Sequence, residues 1–191
     1  MNILIEQLPT AVEINGKIYN LNTDFRNCLK IIIAFEDNEL ADIEKYSILI
    51  NLLYSEVPED TIEAVRLGTK FLDCGEEGED ESASSLGRLY SFEKDSKYIF
   101  SAIQQTHGID LEKIDYLHWW KFVYLFFDLN ENCFFNKIIY LRKQKKIGKL
   151  TKEELQQYNS LHNIIELPEE RSIEEQKQIN DFLGLLGVEK I

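Results

Sequence analysis

Between Tyr116 and Leu129 the only strongly polar side chains are His118, Lys121 and Asp128, and Trp119 and Trp120 stand side by side in the middle. A segment this apolar dictates its surroundings. It crosses a bilayer, lines a pocket, fills a core or meets another chain. The bilayer is excluded first. A spanning helix needs about 20 predominantly apolar residues, and His118 and Lys121 interrupt this run while acids flank it. No other stretch comes closer. The N-terminal residues MNILIEQLPT lack a basic region followed by an apolar run, so no signal peptide is expected.

A helix that is apolar nearly all round must be buried on most sides. Trp119, Trp120, Phe122, Tyr124, Phe126 and Phe127 fall at every azimuth, because neighbours on a helix are about 100° apart. A central helix of a bundle explains such a segment. An exposed stripe that meets a second wall, another subunit for instance, explains the excess of aromatics, since Tyr and Trp are enriched at interface hot spots. Both readings stay open. Together with Tyr116 these residues are the candidate partner-binding set. The second reading fails if the folded monomer buries all six.

The chain has 191 residues, 44% hydrophobic and 29% charged, with a formal net charge of −13. That is enough apolar material for one domain or two small ones. The acidity speaks against nucleic acid, because non-specific binding rests on Lys and Arg neutralising phosphates. Cys28, Cys74 and Cys133 are far apart, so no CxxC pair exists. An odd count of isolated cysteines fits a reducing cytoplasm, each thiol a small apolar residue.

VEINGKIYNL, residues 12 to 21, alternates around Asn15-Gly16, the dipeptide favoured in a two-residue type I′ hairpin. From Thr23 the apolar period becomes helical. Phe25, Leu29, Ile32, Ile33 and Phe35 mark a first helix, and Ile43, Tyr46, Ile48, Leu49, Ile50, Leu52 and Leu53 a second. Val57-Pro58-Glu59-Asp60 reads as the start of a third, with Ile62, Val65, Leu67, Phe71 and Leu72 as its face and Gly75 as its cap. Residues 75–88, GEEGEDESASSLGR, are acidic and small and read as a flexible linker between parts 1–74 and 89–191.

Beyond it, Ser91 is the expected N-cap of a helix carrying Tyr98, Ile99, Ala102 and Ile103 and ended by Gly108. Asp110 is the expected cap of the aromatic helix, and another helix covers about 131 to 145. Two capping boxes, Thr151/Glu154 and Ser172/Glu175, open the last two helices. The first carries Leu155, Tyr158, Leu161 and Ile165 and stops at Pro168. The second carries Ile179, Phe182, Leu183 and Leu186 and stops at Gly187. The fold class is therefore mostly α, a multi-helix bundle with a short N-terminal β-hairpin.

Chemistry is hard to find in this pattern. His107, His118 and His162 have no second ligand at metal spacing. Neither a phosphate-binding glycine loop nor a nucleophile elbow occurs. The acids Asp73, Glu76, Glu77, Glu79, Asp80 and Glu81 lack the ligand order of a calcium loop. No catalytic, metal or cofactor residue is expected, and the protein reads as a non-enzyme. His118 reads as a hydrogen-bonded core or interface residue. Arg142, Lys143, Lys145, Lys146 and Lys149, with Lys137 and Lys152, form a basic run free of acids. It is a solvated helix end, or a docking patch for an acidic partner, the protein's own acidic half included.

VEINGKIYNLNTDFR, FLDCG, YSFEKDSKYIFSAIQQTHGIDLEKIDYLHWWKF and ELPEERS together resemble a family of small tailed-phage proteins. These occur in phages and prophages of Gram-positive bacteria, encoded next to the tape-measure gene. The resemblance spans nearly the whole chain. It is most specific in YSFEKD and in the block Tyr116, Leu117, His118, Trp119, Trp120, Lys121, Phe122. It implies a tail assembly chaperone that coats the long, helical, apolar tape-measure protein and gives way as the tail tube polymerises. Such a protein acts in the host cytoplasm with other tail assembly proteins, is absent from the mature virion and carries no catalytic residues. Self-association along a long client fits that role. Two alternatives follow from other classes: a structural tail or head-completion protein of the virion, and a small nucleic-acid-processing or regulatory protein of the prophage.

Overall fold

The computed structural model describes residues 2–76 and 86–167. Most of the acidic stretch 75–88, and Pro168 with the whole second capping-box helix, lie outside the described residues. The described chain holds one two-stranded antiparallel sheet and eight helices, so it is mostly α with an N-terminal hairpin. The strands are β1 (Ala11–Ile14) and β2 (Lys17–Asn20). The helices are α1 (Phe25–Glu36), α2 (Asp42–Leu53), α3 (Thr61–Leu72), α4 (Ser96–His107), α5 (Trp119–Phe127), α6 (Phe134–Lys146), α7 (Lys152–Ser160) and α8 (His162–Ile165).

Asn15 and Gly16 both take positive φ, 51° and 80°, as the type I′ turn requires. The register pairs Ile14 with Lys17 and Val12 with Tyr19. Ile14 and Tyr19 face the core and Ile18 faces solvent. A lone hairpin is marginal in water, and this one leans on the end of α2. Tyr19 meets Tyr54 edge-on at 6.4 Å, the Ser55 N–H donates to the Asn20 carbonyl, and the Asn22 N–H to the Leu53 carbonyl. α2 and α3 lie close at Gly68. A Cβ there would come within 2.7 Å of Leu49 Cδ2, so any larger residue forces buried side chains apart.

One hydrophobic cluster gathers Phe25, Ile31, Leu49, Leu53 and Phe71 with Ile103, Trp119, Phe122, Phe126 and Phe135. Residues from both sides of the acidic stretch thus share it. A second, smaller cluster joins α6 to α7 and α8 through Ile138, Leu141, Tyr158 and Ile165.

Two helix starts differ from expectation. Ser91 caps only a preceding turn, its hydroxyl accepting the Lys94 N–H, and α4 begins five residues later, after Asp95. The aromatic helix does not begin at Asp110. That carboxylate accepts the Glu112 N–H in a single turn, and the chain then runs irregularly to His118. Its backbone groups bond elsewhere. Arg26 donates to the carbonyls of Leu111 and Ile114. The Phe25 N–H donates to the Leu117 carbonyl and the Trp119 N–H to the Thr23 carbonyl. This antiparallel exchange knits the starts of α1 and α5 together and holds residues 117–118 extended.

Asp24 and His118 cap the two helices. Asp24 accepts from the Arg26 N–H. His118 accepts the Trp120 N–H at Nδ1 and meets the Pro9 carbonyl through Nε2, 3.0 Å away. Both bonds are made by one species, the neutral ring with its proton on Nε2. Burial, together with Lys121, holds the ring's pKa below its usual value, against the opposing pull of the Pro9 carbonyl. Since the folded pKa lies below the unfolded one, the unfolded chain binds more protons between the two. The stabilisation is complete above the unfolded value of about 6.5 and is lost as pH falls through the folded value. Urea midpoints measured from pH 7.5 down to pH 5 should decline in the wild type. They should decline less in His118→Asn, which keeps a capping acceptor but cannot titrate. Equal slopes would refute the assignment.

Candidate partner-binding surface

The aromatic segment divides between core and surface. Trp119, Trp120, Phe122 and Phe126 are buried. The two indoles donate to carbonyls at the end of α3, Trp119 Nε1 to Leu72 and Trp120 Nε1 to Phe71, both at 2.8 Å. These carbonyls belong to the last turn, where no partner exists within the helix. Phe122 stacks between Phe25, with centroids 4.9 Å apart, and Trp119, at 5.7 Å. Phe126 packs among Tyr90, Phe92 and Phe135. Tyr124 and Phe127, one turn apart, face outward, Phe127 at 73% exposure. Tyr116 is exposed too, its hydroxyl bonded to Thr23 Oγ1. The folded monomer therefore buries four of the six helix aromatics and leaves two for another surface.

Within the basic run, Arg142 has to be reassigned. Its side chain is 4% exposed and sits against Asp95, which is fully buried. Both guanidinium NH2 groups grip the carboxylate, at 2.6 and 2.8 Å. The remaining donors reach the carbonyls of Leu89, Ile164 and Ile165, so all five N–H groups have partners. Flanked by lysines, Arg142 reads in the sequence as one more solvated cation, but its azimuth on α6 points inward, beside Ile138 and Leu141. Lys146 donates to the carbonyls of Leu86 and Arg88. Lys143, Lys145 and Lys149 are exposed, with Lys145 lying over the ring of Tyr158.

Cys28 and Cys133 are buried, and Cys74 is half-buried. Burial pushes the Cys74 thiol up to about 12 and Cys28 higher still, so both stay protonated and poorly nucleophilic. Among the described residues no group of His, Cys, Asp and Glu could hold a metal ion, and no helix is long and apolar enough to cross a membrane.

An exposed apolar groove lies elsewhere, between α2 and α3. Ile43, Tyr46, Ser47, Ile50 and Asn51 form one stripe of α2, at the i, i+3, i+4, i+7, i+8 spacing of a helix face. Val57, Thr61, Ile62 and Val65 form the opposite wall, and the groove between them holds about 580 Å³. Its rim is bare: Ile43 is 75% exposed, Val57 62% and Ile62 83%. The Asn51 Nδ2 donates back within α2 to the Ser47 carbonyl and hydroxyl oxygens. Ile43, Tyr46 and Ile62, which the apolar periodicity counts among the helix-forming residues, are exposed, while Val65 is half-buried against the core. A signal was present, because seven apolar residues within α2 are more than one buried face accommodates, and only Leu49, Ile50 and Leu53 are buried. A contiguous exposed apolar patch of this kind is a candidate interaction site.

The described surface thus presents an open apolar groove, an aromatic pair at Tyr124 and Phe127, and lysines on α6. Comparison with curated proteins and with solved structures gave no match. The model of the family described as Bacteriophage Gp15 protein matches residues 4–167, which takes in the hairpin, the eight described helices and the α2–α3 groove, and the protein belongs to that phage family.

Proposed function

We propose that this protein is a non-enzymatic tail assembly chaperone, which binds the tape-measure protein of its phage in the host cytoplasm and keeps it soluble until the tail tube forms. The observation that carries this reading is the exposed apolar groove between α2 and α3. A long helical client presents apolar stripes that aggregate when left uncovered, and helix-in-groove docking is a common way to cover them. Membership of a phage family supplies the setting, and the resemblance described above supplies the client. A net charge of −13 would keep coated complexes soluble. The exposed lysines on α6 belong to the same reading, as a contact for the acidic part of a neighbouring copy along the client.

Co-expression with the tape-measure protein of the same phage, with a tag on one partner only, tests it. The tape measure should move largely from pellet to supernatant and copurify. A tape measure that stays insoluble, together with this protein found in purified particles, would overturn the reading in favour of a structural virion component.

A further inference from the structure

The groove's surroundings constrain its occupant. The residues next to the lining positions are mainly acids: Asp42 and Glu44 beside Ile43, Glu56 beside Val57, Asp60 beside Thr61 and Glu63 beside Ile62. From Asp37 to Arg66 the chain carries eight acids and two bases. Both bases are engaged nearby. Lys45 donates back to the Phe35 carbonyl, Arg66 is paired with Glu63, and Lys17 of β2 reaches across to Glu56, so the negative charge of the border rests on Asp42, Glu44 and Asp60. An apolar groove with an acidic border fits a helix whose apolar stripe is edged by Lys or Arg, which complements the border and is steered toward it. α2 has 12 residues, about 18 Å at 1.5 Å per residue, so the groove seats about three turns of such a helix.

Other occupants fit less well. Residues 168–191 of this chain are rich in apolar side chains but carry six acids and three bases, so the acidic border would repel them. A second copy brings a net charge of −13 to a like-charged surface. A small ligand needs walls that enclose it, and these walls are mostly exposed.

We infer that the α2–α3 groove is the docking site for a cationic amphipathic helix supplied by another polypeptide. The identity of that polypeptide as the tape measure rests on the chaperone reading; the chemistry of the helix does not.

The test uses the full-length protein and three labelled peptides followed by fluorescence anisotropy. One is a Leu/Lys amphipathic helix, one the same pattern in Leu/Glu, and one residues 168–191. The Leu/Lys peptide should bind, at least tenfold tighter than either of the others, and weaken as salt rises. Ile62→Glu and Ile43→Glu alter exposed side chains, so the fold should survive, as circular dichroism would verify. Each should weaken Leu/Lys binding at least tenfold although each adds negative charge. That sign is decisive, because diffuse electrostatic adhesion would tighten.

Unchanged or tighter binding in the variants overturns the inference. So does equal binding of the Leu/Glu peptide, or of residues 168–191. A concentration-dependent dimer that Ile62→Glu dissolves also overturns it, in favour of a second copy. Peptide binding that behaves as expected while the tape measure fails to copurify upholds the groove and removes the chaperone reading. Copurification that survives Ile62→Glu keeps the chaperone reading and overturns the groove as its client site.

Discussion

Arg142→Ala should destabilise the protein by about 3–5 kcal/mol, the usual cost of leaving one member of a buried ion pair uncompensated. The loss is concentrated because the guanidinium does several jobs at once. It neutralises Asp95, which has no solvent to turn to. It also closes the carbonyls of Leu89, Ile164 and Ile165, and so fastens α8 and the approach to α4 onto α6. Arg142→Lys should fall only slightly short of the alanine effect, since an ammonium has three donors and no fork to match the carboxylate. Asp95→Asn with Arg142→Met should recover part of the loss by removing both charges. Urea denaturation of the four proteins measures this. A loss under about 1 kcal/mol for Arg142→Ala would mean that Arg142 is a surface cation after all.

Trp119→Ala should cost a similar amount, about 3–5 kcal/mol, as large-to-small changes of buried aromatics do. The ring supports Phe122, and its N–H closes the Leu72 carbonyl. Trp119→Phe keeps most of the packing and should lose about 1 kcal/mol, the worth of one hydrogen bond. Phe127→Ala, at an exposed position of the same helix, should change stability by less than about 0.5 kcal/mol. Loss of binding to a partner on changing Trp119 would therefore report unfolding, whereas loss on changing Phe127 or Tyr124 would report a surface. A Trp119→Ala protein with an unaltered denaturation midpoint would contradict the burial described here.

Local chemistry was readable in the sequence and distant chemistry was not. The hairpin turn depends on two adjacent residues that accept positive φ, and Asn15-Gly16 states that outright. The Thr151/Glu154 box is reciprocal within one turn, and both of its bonds are present. Gly108 ends α4 in the left-handed conformation. The start of α5 was missed because its cap is a histidine, and because the segment before it is held by Arg26 and by residues 23–25, more than 80 positions away. Asp110 has the right side chain for a cap but no continuing ladder behind it. Arg142 was misjudged for the same reason: its partner lies 47 residues earlier, and local composition spoke only of lysines. For the candidate surface, the excess of aromatics in α5 was visible, but periodicity does not say which azimuths a core takes. The groove was legible only as surplus, too many apolar residues on α2 for one face.

The exchange between residues 23–25 and 117–119 also sets an order of events at the ribosome. Asp24 and Leu117 are 93 positions apart. At 5–20 residues per second, about 5–20 s separate the synthesis of the two. For that interval the core-facing side of α1, Phe25 included, has no α5 to cover it. Until the aromatic helix arrives, Phe25 lacks the Phe122 ring that stacks on it in the finished fold.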